Sequence, residues 1–212
     1  MQRIKEEVLR FDPNAEMRAE LEGLEESALE DRLGCRLAFG TAGLRGPMRA
    51  GYNGMNDLVI LQTTQGLASY LIEQLGEKAA QERGVIIGYD HRKKGSLSSL
   101  SFARYCAAVF LARGIKVYCL EGFVPTPFVP YGVTKFNCCA GLMITASHNP
   151  KADNGYKVYW GNGAQIIPPH DSGISAHIAN NLRPAKAYDV SDSFVLNHEL
   201  SEDVTDKVSS AY

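Results

Sequence analysis

Residues 138–150, CCAGLMITASHNP, join a strongly apolar run to a short polar loop. The apolar part is typical of a buried β-strand. Asn149 and Pro150 end it, because proline has no backbone N–H and disfavours helix at the residue before it. In open α/β sheets, ligands bind beyond the carboxyl ends of the strands. The stretch therefore predicts a core strand that presents Ser147 and His148 at a ligand-binding edge.

Further strands and helices alternate along the chain before this stretch. Apolar runs at 85–89 and 115–120 predict two more strands, and amphipathic patterns predict helices at about 100–110 and 126–136. Because each helix separates two strands, right-handed crossovers and a mainly parallel sheet are expected. The predicted fold class is a three-layer α/β/α arrangement with a mixed, mostly parallel sheet.

The flanking regions extend this architecture. Residues 1–34 are acidic and leucine-rich and predict helix, and Asn56 is a candidate cap for a long helix over 57–75. Alternating apolar residues around a Gly-Asn-Gly turn predict a hairpin over 156–167, which would add an antiparallel part to the sheet. A further helix is expected over 171–181.

Composition divides the chain into three parts. We expect a helical extension over 1–38, an α/β domain over 39–187, and a linker with the start of a second domain over 188–212. The last boundary follows Pro184, where the sequence becomes polar and acidic.

The overall composition is that of an ordinary globular protein. Hydrophobic residues make up 45% and charged residues 22% of the 212 residues, and the formal net charge is −2. A nearly neutral chain has no electrostatic preference for nucleic acid or an anionic membrane. An anionic small molecule would have to be held by local positive charges. The oligomeric state is left open.

The five cysteines are an odd number and form no C-x-x-C pair. We expect them to be small buried side chains in a reducing compartment. The N-terminus lacks the apolar core of a secretory signal, and no run approaches the ~18 apolar residues of a membrane span. The expected location is the cytoplasm. The cysteines are Cys35, Cys106, Cys119, Cys138 and Cys139.

Three loops follow the three predicted parallel strands, at 90–96, 122–126 and 145–150. Because parallel strands share one polarity, all three loops should emerge at one edge of the sheet. The chemistry-bearing residues at this edge would be Ser147, His148, Asp90, His91, Arg92, Lys93, Lys94 and Thr126.

Ser147 allows three interpretations. Most loop serines bond the backbone of a turn, and this is the preferred interpretation of Ser147 and His148 taken alone. A hydrolase is disfavoured, because there is no G-x-S-x-G elbow and His148 is too close in sequence to be assumed to be the base. Phosphoryl transfer fits better, because a serine phosphate adds about −1.5 to −2 charge, which basic residues of the converging loops would neutralise in part.

Four short motifs occur in order across residues 39–167. They are TAGLR at 41–45, GYDHR at 88–92, PTP at 125–127 and TASHNP at 145–150. Together they resemble the α-D-phosphohexomutase superfamily, which includes the phosphoglucomutases and phosphomannomutases. The segments 151–160 and 162–166 are similar to its phosphopentomutase-type branch of eukaryotic phosphoglucomutases. The muscle-type branch has Gly-Gly where this chain has Lys151-Ala152.

The resemblance implies a mutase that moves a phosphoryl group between C1 and the C5 or C6 oxygen of a sugar phosphate through a phosphoserine. Ser147 would carry the phosphate, one oxygen of which would bind Mg²⁺. Lys157 matches the family lysine proposed to move a proton on or off the sugar hydroxyl. Arg45, His148 and Thr41 would hold the phosphoryl group or the substrate. A sugar 1,6- or 1,5-bisphosphate would be the activator or intermediate.

Each implied role has a structural alternative. Lys157 also fits a solvent-facing position in an alternating strand. Arg45 also fits a structural salt bridge, and His148 fits a hydrogen bond to the loop backbone. Asp90 and Arg92 are favoured as a structural pair that braces the turn rather than as catalytic groups.

Three elements of the family do not occur in this sequence. Members carry a D-G-D-x-D-R-type metal loop in the second domain, a sugar-recognition loop in the third and a phosphate-binding loop in the fourth. The nearest approach to the metal loop, at 189–192, has the wrong spacing. We therefore expect an incomplete and inactive portion, with the remaining Mg²⁺ ligands in a second domain. Glucose-1,6-bisphosphate synthase and a non-catalytic mutase-like binding protein are the alternatives.

Overall fold

The computed structural model describes all residues 1–212 and has ten helices and eight strands. The helices are α1 Gln2–Phe11, α2 Ala15–Glu22, α3 Glu26–Leu33, α4 Asp57–Leu75, α5 Glu77–Arg83, α6 Ser99–Leu111, α7 Phe128–Lys135, α8 His170–Ala179, α9 Asp192–Asn197 and α10 Thr205–Ser209. The strands are β1 Leu44–Pro47, β2 Val85–Tyr89, β3 Lys93–Lys94, β4 Leu97–Ser98, β5 Val117–Cys119, β6 Ala140–Ile144, β7 Asp153–Trp160 and β8 Ser201–Asp203.

Six strands form one sheet in the order β1-β7-β6-β2-β5-β8. The four strands β6, β2, β5 and β8 are mutually parallel, whereas β7 and β1 add antiparallel pairs at the other edge. Strands β3 and β4 form a separate two-stranded hairpin. The predicted mixed, mostly parallel sheet is confirmed, and the parallel strands place their carboxyl ends along one edge.

Both faces of the sheet are buried. Successive side chains of a strand point to opposite faces, and in β2 the side chains of Val85 and Ile87 join the large apolar cluster that also contains residues of α4 and α6. Ile86 joins the smaller cluster with residues of α7 and α10. Helices therefore cover both faces, which confirms the three-layer arrangement and explains why the parallel strands are continuous apolar runs.

Helix α4 has the predicted bounds. The Asn56 side chain accepts a hydrogen bond from the backbone N–H of Val59 at 3.0 Å, which is the N-cap contact expected from the sequence. Its amide also donates to the carbonyls of Arg49 and Gly51 at 2.8 and 2.7 Å. The cap therefore joins the start of α4 to the segment that follows β1.

The N-terminal region is helical, as predicted, but is divided into three short helices. The breaks fall around Pro13, which cannot donate a helical hydrogen bond, and around Gly23. Val8, Leu21 and Leu33 are buried in the large apolar cluster. The three helices therefore pack onto the α/β core.

The predicted hairpin over 156–167 is wrong in its second strand. Strand β7 ends at Trp160, and the returning chain forms a single bridge between Tyr159 and Gln165. Pro168 and Pro169 follow at once, and because neither has a backbone N–H, the ladder cannot continue. Strand β7 pairs with β6 and β1 instead.

Residues 192–209 pack on the same sheet. Strand β8 pairs in parallel with β5. Three valines of this region are fully buried: Val195 of α9, Val204 of the loop between β8 and α10, and Val208 of α10. None of the helices combines the length and the hydrophobicity that crossing a lipid bilayer requires.

All five cysteines are free thiols. Four are buried as predicted, and burial raises the pKa of Cys106 and Cys138 to about 12. Cys35 is exposed, so the prediction of a buried side chain is wrong there. It lies in the segment between α3 and β1, where no periodic pattern indicates burial.

Candidate functional site

The loops after β2, β5 and β6 meet at one edge of the sheet, as the strand order predicts. The backbone N–H of Asp90, just after β2, donates to Ile144 at the end of β6 at 3.2 Å. Val124, in the loop after β5, donates to the carbonyl of Tyr89 at 3.1 Å. The neighbouring parallel strands therefore bring Asp90 and the segment 145–153 together. We call residues 145–153 the phosphoserine loop, after the family motif that residues 145–150 resemble.

Ser147 has an uncommon backbone conformation. Its φ is +55°, in the left-handed region, which costs roughly 1–2 kcal/mol for a residue with a side chain. Its N–H donates to Thr145 Oγ1 at 2.9 Å, and the Thr145 hydroxyl donates to Asp90 Oδ2 at 2.6 Å. The loop thus holds the exposed Ser147 hydroxyl at the edge of the sheet. Its backbone is fixed by hydrogen bonds that run through Thr145 to Asp90.

Lys157 lies next to this hydroxyl. It is on β7 opposite Met143 of β6, and its Nζ donates to Ser147 Oγ at 2.6 Å. Burial, and then the positive charge of Arg45, lower the pKa of the Lys157 ammonium, while Asp90 opposes the shift. A lowered pKa increases the fraction of neutral amine near neutral pH. The structure therefore places an amine with a lowered pKa in direct contact with the hydroxyl of Ser147.

Arg45 reaches the same loop from β1. Its Nη1 donates to Asn149 Oδ1 at 3.2 Å, so its observed polar contact is with an amide rather than with a carboxylate. The approach of β1 depends on Gly43, where φ is +74° and a Cβ would lie 1.8 Å from the carbonyl oxygen of Tyr156. The glycine of the TAGLR motif therefore lets the turn carrying Arg45 lie against β7.

His148, Thr41 and Thr126 are not joined to Ser147 by hydrogen bonds. His148 and Thr41 are exposed, which leaves both side chains free to meet a ligand. Thr126 is half-buried at the start of the turn before α7, where its carbonyl accepts from Val129 at 3.2 Å. The structure therefore brings together Ser147, Lys157 and Arg45, the last of these through Asn149.

Asp90 and Arg92 form the predicted brace, with an ion pair of 3.1 Å between Arg92 Nε and Asp90 Oδ2. Sequence reasoning missed two members of the network around them. Ser99 Oγ donates to Asp90 Oδ1 at 2.6 Å, and the fully buried Asn154 donates to Ser99 Oγ at 3.0 Å. A polar residue near the start of β7, in the stretch DNGYK, was the available signal.

A polar cavity of about 370 Å³ lies beside Ser147. Its lining has no hydrophobic residue and is formed by His91, Arg92, Lys93, Ser147, Asn149 and Lys151. Lys94, also expected at this edge, donates instead to the carbonyl of Met48 at 2.7 Å. The basic lining suits an anionic ligand. A mainly apolar cavity of about 220 Å³ lined by residues of α4 and α8 includes none of these loops.

The chain does not form a complete magnesium site. No group of three or more His, Cys, Asp or Glu side chains is arranged to hold a metal ion. Both oxygens of Asp90, the carboxylate bonded to the phosphoserine loop, already accept hydrogen bonds. Mg²⁺ requires about six oxygen ligands in octahedral geometry. Ser147 could supply one oxygen through a phosphate, and the other protein ligands do not come from these residues.

Comparison with protein families matches residues 36–184 to the model described as phosphoglucomutase/phosphomannomutase, alpha/beta/alpha domain I. Residues 1–35 and 185–212 lie outside the match. The matched span contains all four sequence motifs and the three converging loops.

Individual proteins agree with the family match. Phosphopentomutase of Mus musculus is 48% identical over 206 residues, which cover 92% of this chain and 33% of that protein. Glucose 1,6-bisphosphate synthase of Homo sapiens is 47% identical over 182 residues, covering 83% of this chain and 29% of that protein. The chain thus spans about a third of the length of the curated relatives it matches.

A solved structure shows the same fold. The crystal structure of a putative phosphomannomutase from Thermus thermophilus superposes with a TM-score of 0.61 and 25% sequence identity, covering 80% of this chain and 34% of that one. The chain therefore belongs to the phosphoglucomutase/phosphomannomutase family and contains its α/β/α domain I.

Proposed function

We propose that this protein contributes the phosphoserine domain of a sugar-phosphate mutase of the phosphopentomutase or phosphoglucomutase type. A phosphoryl group would move between C1 and the C5 or C6 oxygen of the sugar through Ser147. The observation that carries the proposal is the 2.6 Å contact between Lys157 Nζ and Ser147 Oγ. It joins an exposed hydroxyl to an amine whose pKa is lowered, at the edge where α/β sheets bind ligands.

The chemical step requires one proton relay. The sugar hydroxyl oxygen attacks the phosphorus of phospho-Ser147, so that a P–O bond to the sugar forms and the P–Oγ bond breaks. The sugar hydroxyl loses a proton, and Ser147 Oγ gains one. Lys157 as neutral amine takes the proton from the sugar and as ammonium gives it to Oγ. The second transfer reverses these roles with the other phosphate of the bisphosphate and restores phospho-Ser147.

Positive charge near Ser147 would neutralise the transferring group. Lys93 and Lys151 in the adjacent cavity supply part of this charge. Arg45 would hold the phosphoryl group or the substrate, and so would the exposed side chains of His148 and Thr41. Phosphoryl transfer needs mainly positioning and charge neutralisation, which these side chains offer.

The family resemblance also implies Mg²⁺, bound through an oxygen of the Ser147 phosphate. When bound, the ion would neutralise charge that develops on the phosphoryl group. Because this chain offers no cluster of metal-binding carboxylates, its own residues do not fit a complete site. A sugar 1,6- or 1,5-bisphosphate would be the activator or intermediate.

A bisphosphate synthase is the second candidate. It is favoured by the 47% identity to glucose 1,6-bisphosphate synthase, which is close to the identity to phosphopentomutase. Both activities would use the same phosphoserine and differ in the phosphate donor. A non-catalytic mutase-like protein would bind sugar phosphates without accepting phosphate on Ser147.

The proposed organisation follows the sequence boundaries. Residues 39–187 form the phosphoserine domain, and residues 1–38 form an attached extension. Residues 188–212 form a connection towards a second domain, and β8 of this connection pairs with β5 of the sheet. Small sugar phosphates are the proposed partners. The cytoplasm is the proposed location, because all five cysteines are free thiols.

Phosphate uptake tests the function directly. The chain would be incubated with glucose 1,6-bisphosphate or ribose 1,5-bisphosphate and its intact mass recorded. We expect the gain of one phosphoryl group, mapped to Ser147, and no gain in Ser147→Ala. A label on another residue, or an equal label in Ser147→Ala, contradicts the assignment.

Turnover is expected to be negligible in the 212-residue chain. It has no cluster of metal-binding carboxylates, and it would contact the sugar on one side only. Robust Mg²⁺-dependent interconversion of glucose 1-phosphate and glucose 6-phosphate by the purified chain would contradict this expectation.

A further inference from the structure

The Arg92 guanidinium binds the backbone of the phosphoserine loop at four points. Its Nη1 donates to the carbonyls of Pro150 and Asp153 at 2.7 and 3.0 Å. Its Nη2 donates to the carbonyls of Ser147 and Asn149 at 2.7 and 3.0 Å. The loop therefore wraps its carbonyl oxygens around one side chain.

Asp90 takes the remaining donor. Arg92 Nε donates to Asp90 Oδ2 at 3.1 Å, so every one of the five side-chain N–H groups of arginine has an acceptor. The Arg92 side chain is only 8% exposed. Buried carbonyls need donors, and no other residue type has five donors in one planar fork. Because no N–H is left over, Arg92 has none to offer a phosphate in the adjacent cavity.

Arg92 and Asp90 together fix the backbone C=O and N–H of Ser147. The carbonyl of Ser147 accepts from Arg92, and its N–H donates to Thr145 Oγ1, which donates in turn to Asp90. The positive φ of Ser147 is uncommon and persists only where the surroundings over-determine it. In this conformation Ser147 Oγ lies 2.6 Å from Lys157 Nζ.

We propose that Arg92 is a positioning residue that holds the phosphoserine loop so that Ser147 Oγ faces Lys157. Its effect on the loop follows from the contacts alone, whereas its effect on phosphoryl transfer rests on the proposed function. A displacement of about 1 Å of a reacting group lowers a rate about 10²-fold. Arg92 should therefore govern the rate of phosphoryl transfer and not the affinity for the donor.

Arg92→Lys tests the proposal in the 212-residue chain, because lysine keeps the charge but has three donors on one nitrogen. Two quantities would be measured: the hydrogen-exchange rates of the Asn149 and Asp153 backbone amides, which donate to the carbonyls of Ala146 and Pro150 within the loop, and the single-turnover rate of Ser147 phosphorylation by glucose 1,6-bisphosphate. We expect both amides to exchange faster as the loop loosens. We expect the phosphorylation rate to fall about 10²-fold, with an unchanged half-saturating donor concentration.

Arg104→Lys is the matched control. The Arg104 side chain is 6% exposed and pairs with Glu121 and Asp192, each at 2.7 Å, away from the phosphoserine loop. It should lower the melting temperature and leave both the amide exchange of the loop and the phosphorylation rate at wild-type values. If Arg92→Lys also leaves the amide exchange of the loop at wild-type values, the positioning role is overturned.

Thr145→Val is the second variant, needed if Arg92→Lys does not fold. It removes the hydroxyl that links the Ser147 N–H to Asp90 and should also speed the exchange of the Asn149 and Asp153 amides, with an about tenfold slower phosphorylation. Unchanged amide exchange in this variant overturns the proposal. If the wild-type chain takes up no phosphate, the proposed function fails in this chain, while the amide exchange of the loop still decides the role of Arg92.

Discussion

Two buried acidic clusters in this protein differ in how their oxygen atoms are satisfied. Both side-chain oxygens of Asp90 accept hydrogen bonds, and Arg92 balances its charge. Asp12 and Asp57 lie where the N-terminal helices meet α4, and each has one buried oxygen without a partner. Asn14 joins this second pair, donating its N–H to Asp12 and its side-chain amide to Asp57, at 2.9 and 2.8 Å.

The unpartnered oxygens affect the protonation of the second cluster. Burial is the main reason that the pKa of Asp12 is raised to about 6 and that of Asp57 to about 7. The negative charge of Asp12 also contributes to the raised pKa of Asp57. Asn14 and the positive charge of Arg18 oppose these shifts only in part. A buried carboxyl group that has too few hydrogen-bond donors thus favours protonation. The first cluster supports the reactive loop, and the second makes the attached extension sensitive to pH.

The largest effect is expected on the rate of Ser147 phosphorylation, at the contact between Ser147 and Lys157 that the Asp90 cluster supports. Lys157→Met should lower the rate constant of Ser147 phosphorylation by glucose 1,6-bisphosphate by about 10²–10⁴, the usual contribution of general acid–base catalysis. Rapid-quench mass spectrometry measures it, and Lys78→Met, on an exposed lysine of α5, is the control. If only the half-saturating donor concentration changes, Lys157 is a phosphate clamp.

Asp90→Asn should break the satisfied cluster. It leaves the buried Arg92 guanidinium without a counter-charge, so we expect the free energy of unfolding to fall by about 3–5 kcal/mol. Asp31→Asn is the control, because the Asp31 side chain also pairs with an arginine, Arg49, at 2.7 Å but is 58% exposed. Such an exposed pair contributes about 1 kcal/mol or less. Urea unfolding measures the free energy of unfolding of both variants. If Asp90→Asn and Asp31→Asn lose equal stability, the Asp90 cluster contributes no more than an exposed ion pair.

The second cluster should give the protein a descending stability profile. The folded pKa values of about 6 and 7 exceed the ordinary value of 3.8, so the folded chain binds more protons than the unfolded chain in this window. The stabilisation is complete below about pH 4 and is lost as pH rises through the folded pKa values of about 6 and 7, by several kcal/mol. Urea unfolding at a series of pH values measures the slope.

Asp57→Asn should reduce this slope, because its side-chain oxygen can still accept from Asn14 and one of the two titrating groups is removed. Asp206→Asn, at an exposed position of α10, should leave the slope unchanged. An undiminished slope in Asp57→Asn would assign the pH dependence to other groups.

The smallest effect is expected at the reactive hydroxyl itself. Ser147→Ala removes an exposed group from a loop whose backbone is held by Asp90 and Arg92, so the free energy of unfolding should change by less than about 0.5 kcal/mol. Thermal melting measures it. A change of several kcal/mol would mean that the Ser147 side chain, and not the cluster beneath it, holds the loop.

Local features of the sequence were sufficient for the elements and for much of the site. Apolar runs located β2 and β6, and the cap at Asn56 located the start of α4, because these signals act over a few residues. The motifs at 41–45 and 145–150 pointed to Arg45 and Ser147, and strand polarity placed Asp90 and Ser147 at the same edge of the sheet. The roles of these residues in catalysis stay predictions.

Tertiary structure alone decided the features that depend on distant pairing. Arg92 binds carbonyls more than fifty residues away, and Asn14 reaches Asp57 on another helix. The segment after Trp160 does not form the predicted second strand, whereas β8 joins the sheet beside β5. Both outcomes depend on what lies beside each segment. Hydrogen bonds between distant segments leave no periodic trace in a sequence, because their partners are chosen by the packing of the whole fold and not by neighbouring residues.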